Sequence, residues 1–197
     1  MTTVCWDGNT LAADTLYVAG TRKMQGVYEK ILLPEEAEWV VQGQSVLAVG
    51  FAGSVACMSK VRKLLETNVV IGTDPGVDGD SFSLIMITDK KVNYYWNTGT
   101  TANGELVNEL FIVEGNHAVG SGSPYAMGVM AIKGDAINGV KGAIKVDLHS
   151  GGYIDVWSFD KPRDLTRINP TTGEIISGKQ LPSVPKKNDA ILCASGG

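Results

Sequence analysis

Short stretches of alternating hydrophobic and polar residues dominate the chain, and they predict antiparallel strands joined by tight turns. Residues 3–6 and 10–13 flank Asp7-Gly8-Asn9, a turn whose residues tolerate positive φ. Further strand pairs are predicted at residues 39–42 with 46–51 and 82–88 with 92–96, and single strands at residues 109–113, 117–119 and 153–159. The chain is therefore expected to be rich in antiparallel sheet.

Helical periodicity is limited to a few segments. After Gly53, apolar residues recur at helical spacing at Val55, Met58, Val61 and Leu65. Two more helices are predicted from residue 125 to about 136 and from about 138 to 146. Hairpins followed by helices and a closing strand indicate an α+β fold or a sheet sandwich covered by helices.

The composition changes near residue 160, where Pro, Lys, Asn and Gly become frequent. We therefore expect one domain at residues 1–159 and a partly mobile C-terminal appendage at residues 160–197. A weak hairpin is predicted inside this appendage, at residues 165–168 and 174–176.

Charge and cysteine usage exclude several classes of protein. The net charge of −4 and the sequence pI near 5.2 argue against nucleic acid as a partner, and the low charged fraction of 19% favours contact with other subunits. The three cysteines, Cys5, Cys57 and Cys193, form neither a disulfide framework nor a C-x-x-C metal site. Without a signal-peptide pattern or a long apolar run, a cytoplasmic location is expected.

Thr2 is the most informative single residue. Methionine is normally removed before a small residue, which would leave Thr2 with a free α-amine beside its own hydroxyl. The unperturbed pKa of such an amine, roughly 7.7–8.0, allows it to accept the hydroxyl proton. Taken alone, this start is also typical of an ordinary first strand, so the interpretation depends on the rest of the chain.

Five blocks follow one another along the sequence: Thr2-Thr3-Val4 with Ala13-Asp14, Glu29-Lys30-Ile31, Gly50-Phe51-Ala52-Gly53-Ser54, Gly120-Ser121-Gly122-Ser123-Pro124-Tyr125-Ala126, and residues 147–156. Together they resemble the proteasome β-subunit family, including the bacterial HslV-type peptidases, over residues 2–159. The resemblance implies an N-terminal nucleophile hydrolase with an α+β fold, a four-layer αββα sandwich.

The resemblance also implies catalytic roles for seven residues: Thr2, Asp14, Lys30, Gly53, Ser121, Asp147 and Ser150. Thr2 would be the nucleophile, Lys30 held by Asp14 would lower the pKa of its hydroxyl and amine, and the Gly53 N–H would stabilise the oxyanion. The two serines and Asp147 would orient the amine. As alternatives, Asp14 and Lys30 can form a surface salt bridge worth ~0–1 kcal/mol, Gly53 can belong to a helix turn, and Ser121 can be a helix cap.

A substrate pocket is expected beside the nucleophile. By family position its walls are Tyr17, Tyr28, Leu32, Phe51 and Val55. None of these side chains is charged, so we predict a preference for large apolar or aromatic substrate side chains.

No cofactor is required by this chemistry. With two histidines and scattered cysteines, a catalytic transition metal is not expected. The resemblance is compatible with a structural cation on the backbone carbonyls of Ile144, Asp147 and Ser150.

The predicted function is a threonine endopeptidase that cleaves peptides or unfolded proteins inside a ring-shaped, self-compartmentalised homo-oligomer. Stacked hexameric or heptameric rings and an AAA+ unfoldase partner follow from the resemblance. The segment between Gly53 and Phe82 is short for the family, which leaves the ring order and the unfoldase open. Two alternatives are a non-catalytic, ring-forming scaffold subunit of the same fold and a hydrolase of small non-peptide amides.

Overall fold

The computed structural model describes residues 2–19, 22–24, 26–77, 79–100 and 103–180. The strands are β1 (Val4–Trp6), β2 (Thr10–Asp14), β3 (Tyr17–Ala19), β4 (Arg22–Met24), β5 (Ile31–Leu32), β6 (Trp39–Val41), β7 (Gln44–Gly53), β8 (Phe82–Thr88), β9 (Asn93–Thr100), β10 (Leu106–Val113), β11 (His117–Val119), β12 (Ile154–Ser158), β13 (Lys161–Ile168) and β14 (Ile175–Gln180). The helices are α1 (Val55–Thr67), α2 (Ser123–Lys133) and α3 (Ala136–Val146).

Two antiparallel sheets form the body of the described chain. The first has six strands in the order β11-β1-β2-β12-β13-β14. The second runs β10-β9-β8-β7-β5, with β6 also paired to β7, and β3 and β4 form a separate hairpin. The two hairpins predicted from the sequence, β6 with β7 and β8 with β9, are therefore present in one sheet.

The sheets pack face to face across an apolar layer. Val4, Leu11 and Trp157 from the first sheet meet Ile85 and Ile87 from the second. This layer is tight at Gly50, where an added Cβ would collide with a Val4 methyl group. The close approach places the start of β1 over β7 of the second sheet.

Helices cover the outer faces unequally. Helices α2 and α3 pack on the first sheet through residues such as Met130, Val140 and Ala143. The outer face of the second sheet is covered by α1, through Val61 and Leu65.

The expectation of a four-layer αββα sandwich is wrong, because α1 alone does not form a helical layer over the second sheet. The described chain is mostly antiparallel sheet, with fourteen strands and three helices. The physical reason lies in the segment between β7 and β8. Helix α1 ends at Thr67, and the chain after it does not form a second helix but makes a single β-bridge to β6, between Val69 and Val41.

The segment after residue 160 extends the first sheet. The hairpin predicted there is present and longer than expected, because β13 pairs with β12 along most of its length and β14 pairs with β13. Residues 181–197 of the predicted appendage lie outside the described residues. No helix among those described is long and apolar enough to cross a membrane.

Candidate active site

The pairing of β1 with β2 brings the predicted nucleophile to the first predicted acid. Val4 pairs with Ala13, so the residues just before β1 lie beside Asp14 at the end of β2. The Asp14 N–H donates to the Thr3 carbonyl at 3.1 Å, which continues the ladder by one step. At this point the Thr2 hydroxyl donates to Asp14 Oδ1 at 2.6 Å.

The Asp14 carboxylate is fully buried and is the centre of the site. Its Oδ1 accepts from Lys30 Nζ at 2.7 Å and from the Thr3 N–H at 2.8 Å, in addition to the Thr2 hydroxyl. Its Oδ2 accepts from the N–H groups of Gly151 at 2.9 Å and Leu16 at 3.3 Å. A buried carboxylate needs such partners, because removing a charge from water without them costs several kcal/mol.

Lys30 is a buried lysine. It is 4% exposed, and it reaches the site from the residue just before β5. Burial lowers the pKa of Lys30, and the nearby Asp14 carboxylate opposes that shift. The pair is therefore not the surface salt bridge that the sequence allowed as an alternative. Because Lys30 Nζ and the Thr2 hydroxyl bind the same oxygen of Asp14, the positive charge of Lys30 lies next to that hydroxyl.

A second polar cluster joins Ser121, Asp147 and Ser150. Asp147 Oδ2 accepts from Ser121 Oγ at 2.8 Å and from Ser150 Oγ at 2.6 Å. Ser121 Oγ also lies 3.5 Å from the Thr2 carbonyl oxygen, and the hydroxyls of Ser150 and Thr3 are 2.6 Å apart. These contacts link the end of α3 to the chain around Thr2.

The same hydrogen bonds affect the pKa of the Asp147 carboxyl group. Partial burial acts to raise its pKa, but the hydrogen bonds from Ser150 and Ser121 and from the His149 N–H outweigh it, so the pKa of Asp147 is lowered. Ser121 does not cap helix α2, whose N-cap residue is Gly122. The side chain of Ser121 is thus used at the site.

The glycine-rich turn before α2 is shaped by Thr2. Gly120 has a φ of +95°, and an added Cβ would collide with the carbonyl oxygen of Thr2. A Cβ at Gly122 would collide with the Thr3 hydroxyl and come within 2.9 Å of Ser150 Oγ. The close packing explains why this block contains glycines.

Gly53 occupies the other side of the site. It ends β7 with a φ of +145°, and an added Cβ would lie 2.5 Å from the Ser81 carbonyl oxygen and 2.6 Å from Phe82 Cα. Helix α1 begins two residues later, at Val55. Gly53 is therefore a conformational requirement at this turn as well as a candidate oxyanion donor.

An open cleft of about 840 Å³ lies over these residues. Thr2, Lys30, Gly53 and Ser121 all contribute to its lining. Of the predicted pocket residues, those at the cleft are Tyr17, Tyr28, Phe51 and Val55. The rings of Tyr17 and Tyr28 stack with centroids 5.3 Å apart and form an aromatic wall.

Leu32 is the exception among the predicted pocket residues. It is 2% exposed and packs in the apolar cluster beneath α1, with Val61 and Leu65. The pocket expectation was drawn from family position, which does not show which way a buried strand residue faces. Leu32 therefore supports the core instead of lining the cleft.

The three carbonyls proposed for a structural cation lie at the end of α3. The Asp147 carbonyl accepts from the Ser150 N–H at 3.2 Å, and the Asp147 N–H donates to Ala143. Within the described ranges, no group of three or more His, Cys, Asp or Glu side chains is arranged to hold a metal ion. The cation on the carbonyls of Ile144, Asp147 and Ser150 stays a prediction.

Sequence reasoning missed a buried ion pair behind the site. Asp155, 1% exposed, accepts two hydrogen bonds from Arg167, at 2.6 and 2.9 Å. The pair spans β12 and β13, and Asp155 is also paired in register with Ala13, the residue before Asp14. The two residues are twelve positions apart, and although Asp155 lies in the block at residues 147–156, only the strand register could reveal its pairing with Arg167.

Comparisons with known proteins place the fold more precisely. No family model and no curated protein matches the chain. Among solved structures, it is similar to Thiobacillus denitrificans BPH, with a TM-score of 0.51 and 19% identity over 80% of this chain and 96% of that chain. The same protein in complex with epoxomicin matches with a TM-score of 0.50 and 17% identity, over 81% of this chain and 98% of that one.

A third similar structure is Anbu (ancestral beta-subunit) from Yersinia bercovieri, with a TM-score of 0.49 and 13% identity over 81% of each chain. The structures that match with a TM-score of 0.5 or more are those of BPH, and no family model matches the chain, so the assignment to the proteasome β-subunit and HslV-type family is wrong. At these identities the likeness shows the fold alone, and the chemistry must be argued from the residues of this chain.

Proposed function

We propose that the chain is a threonine hydrolase of peptide bonds, with Thr2 as the nucleophile once Met1 is removed. The carrying observation is that the hydroxyl of Thr2 and the ammonium of Lys30 bind the same buried oxygen of Asp14, at 2.6 and 2.7 Å, at the edge of an open cleft. An ordinary first strand does not need a buried Lys–Asp pair at its first residue, because such a pair is costly to desolvate.

The reaction follows from these positions. Thr2 Oγ forms a bond to the peptide carbonyl carbon while its proton passes to the α-amine of Thr2. The Gly53 N–H is the candidate donor for the resulting oxyanion. The carbon–nitrogen bond then breaks, and the leaving amine takes the proton from the Thr2 amine.

The acyl-enzyme is released by water. The Thr2 amine takes a proton from water, whose oxygen attacks the ester carbon, and the bond to Thr2 Oγ breaks. The Thr2 amine then returns the proton to Thr2 Oγ, which restores the free enzyme. Ser121 and Asp147 are suited to positioning the Thr2 backbone and amine, because Ser121 lies between the Thr2 carbonyl and Asp147.

Lys30 supplies electrostatic assistance. A buried cation next to the hydroxyl favours the alkoxide and disfavours a protonated amine. Asp14 holds this cation in place through a 2.7 Å hydrogen bond. Neither residue needs to transfer a proton itself.

The aromatic wall supports a preference for apolar substrate side chains. Tyr17, Tyr28, Phe51 and Val55 all line the cleft, and an apolar or aromatic side chain would gain burial against them. A charged side chain would lose hydration on this wall without a counterion.

We also propose that the chain works as a homo-oligomer. Large apolar side chains are exposed on α2, on β10 and just after α3, namely Ile132 at 86%, Leu106 at 82% and Leu148 at 77%. Exposed apolar surface of this kind is typical of subunit contacts. A stacked ring remains the arrangement proposed from the sequence, and mass photometry at micromolar concentration would distinguish it from a monomer.

Two measurements test the proposed chemistry together. Intact mass of the purified protein should show that Met1 is gone, and a panel of fluorogenic peptides should be cleaved. Thr2→Ala should abolish cleavage and Thr2→Ser should retain part of it, because serine keeps a hydroxyl beside the amine. Epoxomicin, which is bound in the similar BPH structure, should block cleavage by the parent protein.

Cleavage that persists in Thr2→Ala would overturn the proposal. A retained Met1, together with no cleavage of any peptide, would instead support the scaffold function. The Lys63→Met variant, altered at an exposed position of α1, serves as the control for nonspecific effects of substitution.

A further inference from the structure

The inner face of the second sheet changes from apolar to polar where it enters the cleft. On β8, Ile85 and Ile87 belong to the apolar layer between the sheets. Side chains alternate along a strand, so Ser83 and the preceding Ser81 continue the same face. Both serines line the cleft instead of a core.

The neighbouring strand carries the matching residue. Asn97 on β9 pairs directly with Ser83, and the Ser83 hydroxyl donates to Asn97 Oδ1 at 2.8 Å. One step further along the strands, the Cβ position of Gly99 lies 3.3 Å from Ser81 Cβ, so no side chain there covers the pair. Ser83 and Asn97, together called the hydroxyl–amide pair, are half-buried and face the cleft.

The hydroxyl–amide pair presents one donor and one acceptor side by side. The Ser83 proton is used in the bond to Asn97, which leaves the lone pairs of Ser83 Oγ and the N–H₂ group of Asn97. Exchanging the amide oxygen and nitrogen of Asn97 would give the reverse assignment, in which the Asn97 N–H₂ group donates and Ser83 Oγ accepts, leaving the Ser83 proton and the Asn97 oxygen free. In either case the pair matches a group that itself holds an acceptor and a donor at adjacent atoms.

The charges of the residues that line the cleft narrow the class of substrate group that the hydroxyl–amide pair can bind. Among the described residues that line the cleft, Lys30 is the only one whose side chain is charged at neutral pH, and it is bound to Asp14. A carboxylate offers acceptors alone, and an ammonium offers donors alone. A primary carboxamide offers both and brings no charge that needs a counterion.

The position of the pair makes it separate from the aromatic wall. In the second sheet, β7 carries Gly53, with β5 on one side and β8 and β9 on the other. Tyr28 precedes β5, whereas Ser83 and Asn97 lie on β8 and β9. The cleft thus offers two binding surfaces on opposite sides of the strand that carries the candidate oxyanion donor.

We propose that Ser83 and Asn97 form a second substrate subsite, which binds the carboxamide side chain of a glutamine or asparagine residue through two hydrogen bonds. The subsite rests on the proposed function, since it assumes that the cleft receives a peptide. It assigns a substrate class that the aromatic wall alone does not predict.

The test compares peptides that differ at one residue, with Gln, Met, Glu or Lys scanned through each position on both sides of the cut. At one position, Gln should give a kcat/KM about tenfold above Met, which has nearly the same shape and lacks both polar atoms. Asn97→Leu and Ser83→Ala should each bring the Gln-to-Met ratio close to one. Ser59→Ala, at an exposed position of α1, should leave the ratio unchanged.

A binding experiment separates this inference from the chemistry. Thr2→Ala should bind a fluorescent Gln peptide more tightly than its Met counterpart, and Asn97→Leu in the same background should remove the difference. A Gln preference in binding without any Thr2-dependent cleavage would support the subsite and count against the proposed function. Thr2-dependent cleavage with equal ratios for Gln and Met, or a ratio that survives both Ser83→Ala and Asn97→Leu, would overturn the subsite alone.

Discussion

The Thr2 hydroxyl donates a 2.6 Å hydrogen bond to Asp14, a carboxylate with no exposure to solvent. The same carboxylate oxygen binds the ammonium of Lys30. A hydroxyl held against a buried ion pair experiences a stronger electrostatic field than one in water, because the surroundings screen less. This relationship leads to the first of four predictions.

Asp14 and Lys30 should behave as one unit. Lys30→Met leaves a buried carboxylate without its cation, so we expect the free energy of unfolding to fall by about 3–5 kcal/mol and turnover to drop sharply. The double variant Asp14→Asn with Lys30→Met removes both charges, so it should recover much of the stability but not the turnover. Urea denaturation and peptide kinetics on the single and double variants would measure both effects.

The turnover of the two single variants and the double variant also defines the result that would contradict this prediction. If the losses of turnover in Asp14→Asn and Lys30→Met simply add in the double variant, the two residues act independently and the coupled unit is wrong. The exposed Lys63→Met should change stability by no more than about 0.5 kcal/mol.

The Asp155–Arg167 pair should contribute far more to stability than the surface pair of Lys179 and Glu35. Arg167→Met leaves the buried Asp155 carboxylate without its cation, so we expect the free energy of unfolding to fall by about 3–5 kcal/mol. Lys179→Met breaks a pair whose side chains are each 48% exposed, so about 0–1 kcal/mol is expected. Equal losses for the two variants, measured by urea denaturation, would contradict the importance assigned to burial.

The lowered pKa of Asp147 predicts a dependence of stability on acid pH. A carboxylate whose folded pKa lies below its unfolded value stabilises the fold above that unfolded value, near 3.8. The contribution is lost as the pH falls through the folded pKa. Unfolding free energy should therefore decrease with falling pH below about 4 in the parent, and the slope should be smaller in Asp147→Asn.

The control for this prediction is Asp160→Asn, at an exposed position near the end of β12. It should leave the acid slope close to that of the parent. An unchanged slope in Asp147→Asn would show that the hydrogen bonds from Ser121 and Ser150 do not stabilise the carboxylate.

Gly120 should tolerate no side chain. Gly120→Ala would carry two costs: the positive φ of +95° and a collision with the Thr2 carbonyl. Gly134→Ala has a similar φ of +77° but open space around the new Cβ, so it should carry the backbone cost alone, about 1 kcal/mol. Peptide cleavage should therefore be lost in Gly120→Ala and retained in Gly134→Ala, and retention in both would mean that the Thr2 backbone can move freely.

Much of the local structure could be predicted from the sequence, because the signals are local. Alternating apolar residues indicated β1, β2, β8 and β9, and Gly53 marked the start of α1. The blocks containing Thr2, Asp14, Lys30 and Ser121 indicated residues that the structure does bring together. Short-range spacing is sufficient only for Thr2 and Asp14, because a tight turn brings β1 directly beside β2, whereas Lys30 and Ser121 were indicated by the resemblance of their blocks to a known family.

The layer architecture was decided by the tertiary structure. The number of helices over the second sheet depends on what residues 68–81 do after α1, and apolar periodicity does not show whether such a segment forms a second helix or a loop. The direction of Leu32 was also not readable, because both faces of the second sheet are buried and either side of the strand can be apolar.

The polar pairs that lie far apart in the sequence depend entirely on strand register. Ser83 reaches Asn97 and Asp155 reaches Arg167 because their strands are paired at those positions and at no neighbouring ones. A shift of one residue would turn each side chain to the opposite face of its sheet. The sequence by itself thus determined most of the strands and turns and the residues around Thr2, whereas the register of the sheets decided which distant side chains meet near Asp14 and in the cleft.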